Sequence, residues 1–86
     1  MATTTLGILS VTSAWQEVTA TFAGAANVDV MIFNRGPGSL QVYDNPSAPG
    51  SDSLGSNVPV GEDIYVSSEK IYVRSPGGTT ANIRTL

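Results

Sequence analysis

The chain contains no cysteine and no histidine. The first absence excludes disulfide staples and thiol chemistry, and the second removes the commonest general base. Together they exclude zinc sites of the usual kind. Charge is also sparse, at 13% of residues against a usual ~25%. Arg35, Lys70, Arg74 and Arg84 are the whole positive inventory against seven acidic residues, for a net charge of −3. These cations are scattered and form no basic stripe that would displace counterions from phosphates, so no nucleic-acid partner is expected. An anionic membrane surface is disfavoured on the same electrostatic ground. No stretch approaches the ~20 apolar residues of a membrane span. Met1-Ala2-Thr3-Thr4-Thr5 places no basic residue ahead of an apolar run, so no secretory leader is expected. With 86 residues there is room for one small domain, which on folding buries roughly 60–65% of its unfolded surface. This composition argues against an enzyme and for a structural or binding module.

Helix-forming residues are scarce, and no window keeps an apolar 3.6-residue stripe for three turns. Period-two segments separated by Gly, Pro, Asn and Ser clusters dominate instead, the all-β pattern. Strands are expected over residues 6–12, with Leu9 and Val11 on one face and Leu6 and Ile8 on the other, and over residues 15–22. The segment 28–34 alternates Val28, Val30 and Ile32 with Asp29, Met31 and Phe33. It is apolar on nearly both sides, which predicts a central strand whose second face is covered by a loop or a neighbouring subunit. A turn at 34–39 and a strand at 40–43 would complete a hairpin with it. Residues 44–57 read as a long loop, with Leu54 a candidate anchor to the core. Pro59 marks 58–61 as an edge segment entering a turn. Strands at 63–67 and 70–74, a Ser75-Pro76-Gly77-Gly78 turn and a last strand at 80–86 complete the chain. Seven to eight short strands with turn signals about every ten residues predict a small antiparallel β-sandwich, jelly-roll or immunoglobulin-like. Residues 6–86 form the domain and residues 1–5 a flexible, threonine-rich arm.

The polar residues do not assemble into a catalytic or metal-binding pattern. Glu62 and Asp63 are adjacent, so on a strand they point to opposite faces and cannot share a substrate. Asp44 and Asp52 lie in the long loop without the spacing of a calcium loop or its terminal bidentate glutamate. Lys70 is the only lysine, and the inward parity of Ile71 places it outward, away from a buried Ser–Lys dyad. The glycine pairs 36/38 and 77/78 precede no helix and match no phosphate-binding loop. No catalytic residue, cofactor site or metal site is expected.

The aromatics are more informative. Trp15 is expected to cover the end of the sandwich core. Ile64, Val66, Ile71 and Val73 take the inward positions, which leaves Tyr65 and Tyr72 on the outward parity beside Lys70 and Arg74. If the two segments pair as a hairpin, both tyrosines share one outer face. Such a pair serves either as part of an interface or as a cross-strand contact within its own sheet. Tyr43, Tyr65, Tyr72 and Arg74 are therefore candidate partner-binding residues. Thr3, Thr4 and Thr5 join them, as an extended arm with nothing of its own to pack against and able to add a strand to a neighbour's sheet edge. A thin core and a central strand apolar on both faces further point to a symmetric homo-oligomer, with a trimer favoured.

The layout of Trp15-Gln16-Glu17-Val18-Thr19, Val30-Met31-Ile32-Phe33-Asn34-Arg35-Gly36 and Leu40-Gln41-Val42-Tyr43 resembles that of small virion proteins of tailed bacteriophages. Val58-Pro59-Val60-Gly61-Glu62 and Ile71-Tyr72-Val73-Arg74-Ser75 with Gly77-Gly78-Thr79-Thr80-Ala81 extend the resemblance over residues 15–85. What it implies is a β-sandwich that binds a capsid or tail surface, often as a symmetric cluster. The expected role is head decoration, or cement: binding the major capsid protein or another virion protein on the capsid surface, after synthesis in the host cytoplasm. The alternatives are a neck, tail or fibre accessory protein, or a carbohydrate-binding attachment module using Trp15 or the tyrosines.

Overall fold

A computed structural model describes residues 4–45, 47, 49–50 and 55–85. Among them are eight strands: β1 (Thr4–Val11), β2 (Gln16–Glu17), β3 (Val30–Pro37), β4 (Leu40–Tyr43), β5 (Ser56–Val58), β6 (Asp63–Val66), β7 (Tyr72–Arg74) and β8 (Thr79–Thr85). They form two antiparallel four-stranded sheets in the orders β1-β8-β3-β6 and β2-β7-β4-β5. Apart from β4 and β5, which pair within one sheet, consecutive strands lie in different sheets, so the chain is a small β-sandwich with the strand order of a jelly roll. This decides between the two topologies that the sequence pattern allows.

The core follows from alternation. Val30 and Ile32 of β3, Ala81 and Ile83 of β8, Leu40 and Val42 of β4, and Val73 of β7 are all essentially inaccessible to solvent. Ile32 sits in register with Ile83 on one side and Ile64 on the other, so β-branched side chains tile the inner face of the first sheet. Truncating such a residue to alanine costs about 2–5 kcal/mol, because a core this thin has few neighbours to fill the space.

Three expectations about local structure are corrected. The segment after Trp15 pairs for two residues only and then forms a helical turn, α1 (Val18–Thr21), closed by the Phe22 amide donating to the Val18 carbonyl at 2.8 Å. The turn buries the adjacent residues Val18 and Thr19 together. In β1 the register shifts between Thr5 and Gly7. That bulge lets Leu6 join Leu9 against the core and leaves Ile8 57% exposed. At Gly7 a Cβ would lie 2.7 Å from the Phe22 ring, so any larger residue would push that ring aside. Finally, β3 and β4 are not a hairpin, because the turn between them carries the chain from one sheet to the other.

The expected arm is also shorter than the sequence implies. Thr4 and Thr5 belong to β1 and lie opposite Thr85 and Arg84 of β8; an unsatisfied strand edge within the same chain captures their backbone groups. Thr3 and Leu54 lie outside the described residues.

Four connections, at 12–15, 38–39, 59–62 and 75–78, gather at one end of the sandwich; the Ser75 amide donates to the Thr12 carbonyl of the first, and a fully buried Asn34 ties the last three together. Its amide nitrogen donates to the carbonyls of Gly38 (2.9 Å) and Val58 (2.8 Å), and its Oδ1 accepts from the Gly36 amide (3.0 Å) and the Thr79 hydroxyl (2.6 Å). Its backbone accepts from Gly61 and donates to Glu62. Pro59-Val60-Gly61-Glu62 is the expected turn, with Gly61 at φ 85° and the Glu62 amide donating to the Pro59 carbonyl. Nearby, the buried Ser75 hydroxyl donates to the Ser39 carbonyl at 2.6 Å, and Gly78 closes the Ser75–Gly78 turn.

Candidate functional site

The outward-facing residues separate into two surfaces, one on each sheet. On the β2-β7-β4-β5 sheet, Val73 points into the core, so Tyr72 and Arg74 point out. Arg74 lies opposite Gln41, and Tyr72 lies opposite Tyr43 on one side and Glu17 on the other. Trp15, immediately before β2, packs over this surface. The Arg74 guanidinium carbon lies 4.4 Å from the centroid of the Trp15 ring, and Tyr43 meets the same ring at 5.9 Å with the planes tilted by 56°. Arg74 Nε donates to Gln41 Oε1 at 2.9 Å, and Trp15 Nε1 donates to the Gly50 carbonyl at 3.2 Å. The long loop is thereby tied to the indole across 35 positions of sequence. A cation held over an indole contributes about 0.5–2 kcal/mol, and here the guanidinium is also fixed by Gln41.

On the β1-β8-β3-β6 sheet, Ala81 and Ile83 point inward and Asn82 and Arg84 outward. Register places Ile8, Asn82, Phe33 and Asp63 in one row across the sheet, with Arg84, Met31 and Tyr65 in the next. Ile8 and Tyr65 are exposed, while Met31 and Phe33 are half-buried. Met31, Phe33, Asn82 and Arg84 line a shallow depression. Within it, Asn82 Oδ1 and Arg84 Nε are shielded from solvent yet have no hydrogen-bond partner among the described residues.

Three of the expected partner residues, Tyr43, Tyr72 and Arg74, thus come together. Tyr65 does not join them, because β6 and β7 are in different sheets rather than in a hairpin. Tyr72 is only 8% exposed, since it occupies an inner strand between Tyr43 and Glu17. Trp15 lies on the outer side of a sheet and not over the end of the core; no parity rule reaches it, because it precedes the strand. Sequence reasoning missed Ile8, Met31, Phe33, Asn82 and Arg84 as a surface. The signal was present in the two-sided apolar character of residues 28–34, but the neighbours of that segment were not known.

Among the described residues, no three His, Cys, Asp or Glu side chains come together to hold a metal ion, and no helix is long and apolar enough to cross a membrane. No protein-family model, curated protein or solved structure matches the chain.

Proposed function

We propose that this is a non-enzymatic structural protein of a phage virion, a head decoration or cement protein that binds between capsid subunits and stabilises the shell. The observation that carries the reading is the platform of Trp15, Tyr43 and Arg74 on the β2-β7-β4-β5 sheet. Trp, Tyr and Arg are the residue types that dominate interface hot spots. Here they are held in place before any partner arrives, by the Gln41 and Gly50 hydrogen bonds, so little side-chain freedom is lost on docking. On this reading the platform rests on the major capsid protein at the capsid surface. The added buried area at lattice junctions opposes the outward pressure of packaged DNA. The resemblance to small virion proteins points the same way, and a jelly roll is a frame that viral capsid proteins share with lectins.

A neck, tail or fibre role uses the same surface in fewer copies. A carbohydrate-binding role fits less well: the 56° tilt between Trp15 and Tyr43 offers no flat sugar platform, and Arg74 lies over the indole. The test is copy number, by quantitative mass spectrometry of gradient-purified particles from the source. Hundreds of copies per particle support the cement role, and loss of the protein from particles carrying Arg74→Ala ties it to the platform. A few dozen copies or fewer favour the neck, tail or fibres, and absence from particles overturns the virion reading.

A further inference from the structure

We propose that the outer face of the β1-β8-β3-β6 sheet is a self-association surface, on which a second copy of this chain packs about a two-fold axis running along β3. This inference concerns the opposite face from the platform and stands or fails independently of the virion reading.

The face is self-complementary. Met31 and Phe33 lie on β3, an inner strand, with Arg84 and Asn82 beside them on β8 and Tyr65 and Asp63 on β6. The cation is therefore on one side of the apolar seam, and the anion and the exposed aromatic are on the other. A two-fold axis along β3 lays β8 of one copy over β6 of its partner. Met31 and Phe33 then meet their own counterparts on the axis. On both flanks, Arg84 faces the tyrosine ring and, one row away, the carboxylate of the other copy. The solvent-shielded Asn82 Oδ1 and Arg84 Nε have no hydrogen-bond partner among the described residues. Buried polar atoms are ordinarily paired, so this face is incomplete in the single chain. The opposing Asp63 carboxylate supplies an acceptor to the Arg84 guanidinium and to the Asn82 amide nitrogen, while Asn82 Oδ1, itself an acceptor, gains no donor from it.

Size sets the strength. Four strands about 4.8 Å apart, with the seven-residue β8 rising about 3.3 Å per residue, give a face of roughly 19 by 23 Å. Two such faces bury on the order of 900 Å², near the ~1,000 Å² where specific association begins. An interface of this size belongs to the weak, transient class of association.

Sedimentation velocity of the full chain from about 1 to 500 µM tests this. A monomer–dimer equilibrium is expected. Arg84→Glu and Asp63→Arg should each weaken it about tenfold or more by opposing like charges, and the double exchange should restore it. Because the chain lacks cysteine, Met31→Cys provides a readout independent of the charge variants: a short bis-maleimide should cross-link it to its own copy, whereas Gln41→Cys on the other sheet should remain monomeric. Circular dichroism of each variant separates loss of association from loss of folding. A monomer throughout the concentration range overturns the proposal, as does a dimer insensitive to the charge reversals or one cross-linked through position 41.

Discussion

Asn34 Oδ1 accepts the Thr79 hydroxyl at 2.6 Å, joining strands that lie 45 positions apart in sequence. All four side-chain hydrogen-bonding positions of Asn34 are filled, from both sheets and from the turn at Gly38. A buried polar network pays off only when complete, so its members should be unequal in mutation. Asn34→Ala strands two carbonyls and an amide and should lower stability by about 2–4 kcal/mol, whereas Thr79→Val should cost about 1 kcal/mol. Asn34→Asp keeps the shape but loses both donors, and no rescue is expected. Urea unfolding of the two single variants and the double variant should show less than additive loss; strict additivity would deny the coupling.

Three glycines separate backbone strain from steric conflict. A Cβ on Gly55 would lie 2.6 Å from the Val42 carbonyl oxygen, a backbone atom that cannot swing away. Gly55→Ala should therefore cost about 2 kcal/mol or more, as overpacking does. Gly61 has open space but φ 85°, so Gly61→Ala should cost about 1–2 kcal/mol. Gly77 has neither constraint, and Gly77→Ala should fall within about 0.5 kcal/mol of the parent. Midpoints of thermal unfolding in that order check the argument; equal shifts for Gly55 and Gly77 would refute it.

Alternation made much of the inward set legible in the sequence: Val30, Ile32, Ile71, Val73, Ala81 and Ile83 are all buried. The turns at Pro59–Glu62 and Ser75–Gly78 were legible because Pro and Gly fix backbone angles locally. What alternation does not carry is which sheet a strand joins. The parities of Tyr65 and Tyr72 both point outward, yet from opposite sides of the molecule, because β6 and β7 lie in different sheets. The helical turn at Val18–Thr21 was hidden for a related reason: Val18 and Phe22 fit a period of two over so short a stretch, and the burial of Thr19 is decided by packing.

Arg74 and Trp15 should be coupled in solution. Trp15 is the only tryptophan, so its emission reports on the platform alone. Removing the guanidinium by Arg74→Ala should move that emission to longer wavelength and cost about 1 kcal/mol. Arg74→Lys keeps the charge but not the planar stack or the same bond to Gln41, and should recover only part of the loss. An emission spectrum unchanged in Arg74→Ala would contradict the stacked geometry.

Truncation at the start of the chain should show a step between residues 3 and 5. Deleting residues 1–5 removes the pairs Thr4–Thr85 and Thr5–Arg84 and should lower the unfolding midpoint by roughly 4–8 °C, the equivalent of about 1 kcal/mol in a domain this small. Deleting residues 1–3 leaves those pairs intact and should have little effect on the midpoint. Equal midpoints for the two truncations would show that the Thr4–Thr5 pairing contributes nothing to stability.

The antiparallel pairing of β1 with β8 places Thr4 beside Thr85, and this determines how the molecule bears tension. A pull applied at those two residues opens the pair from one end, and the ladder peels apart one rung at a time. A load spread over a sheet face engages all four of its strands together. If this sandwich braces anything, it does so with its flat sides, and a load on Thr4 and Thr85 meets one rung of the ladder at a time.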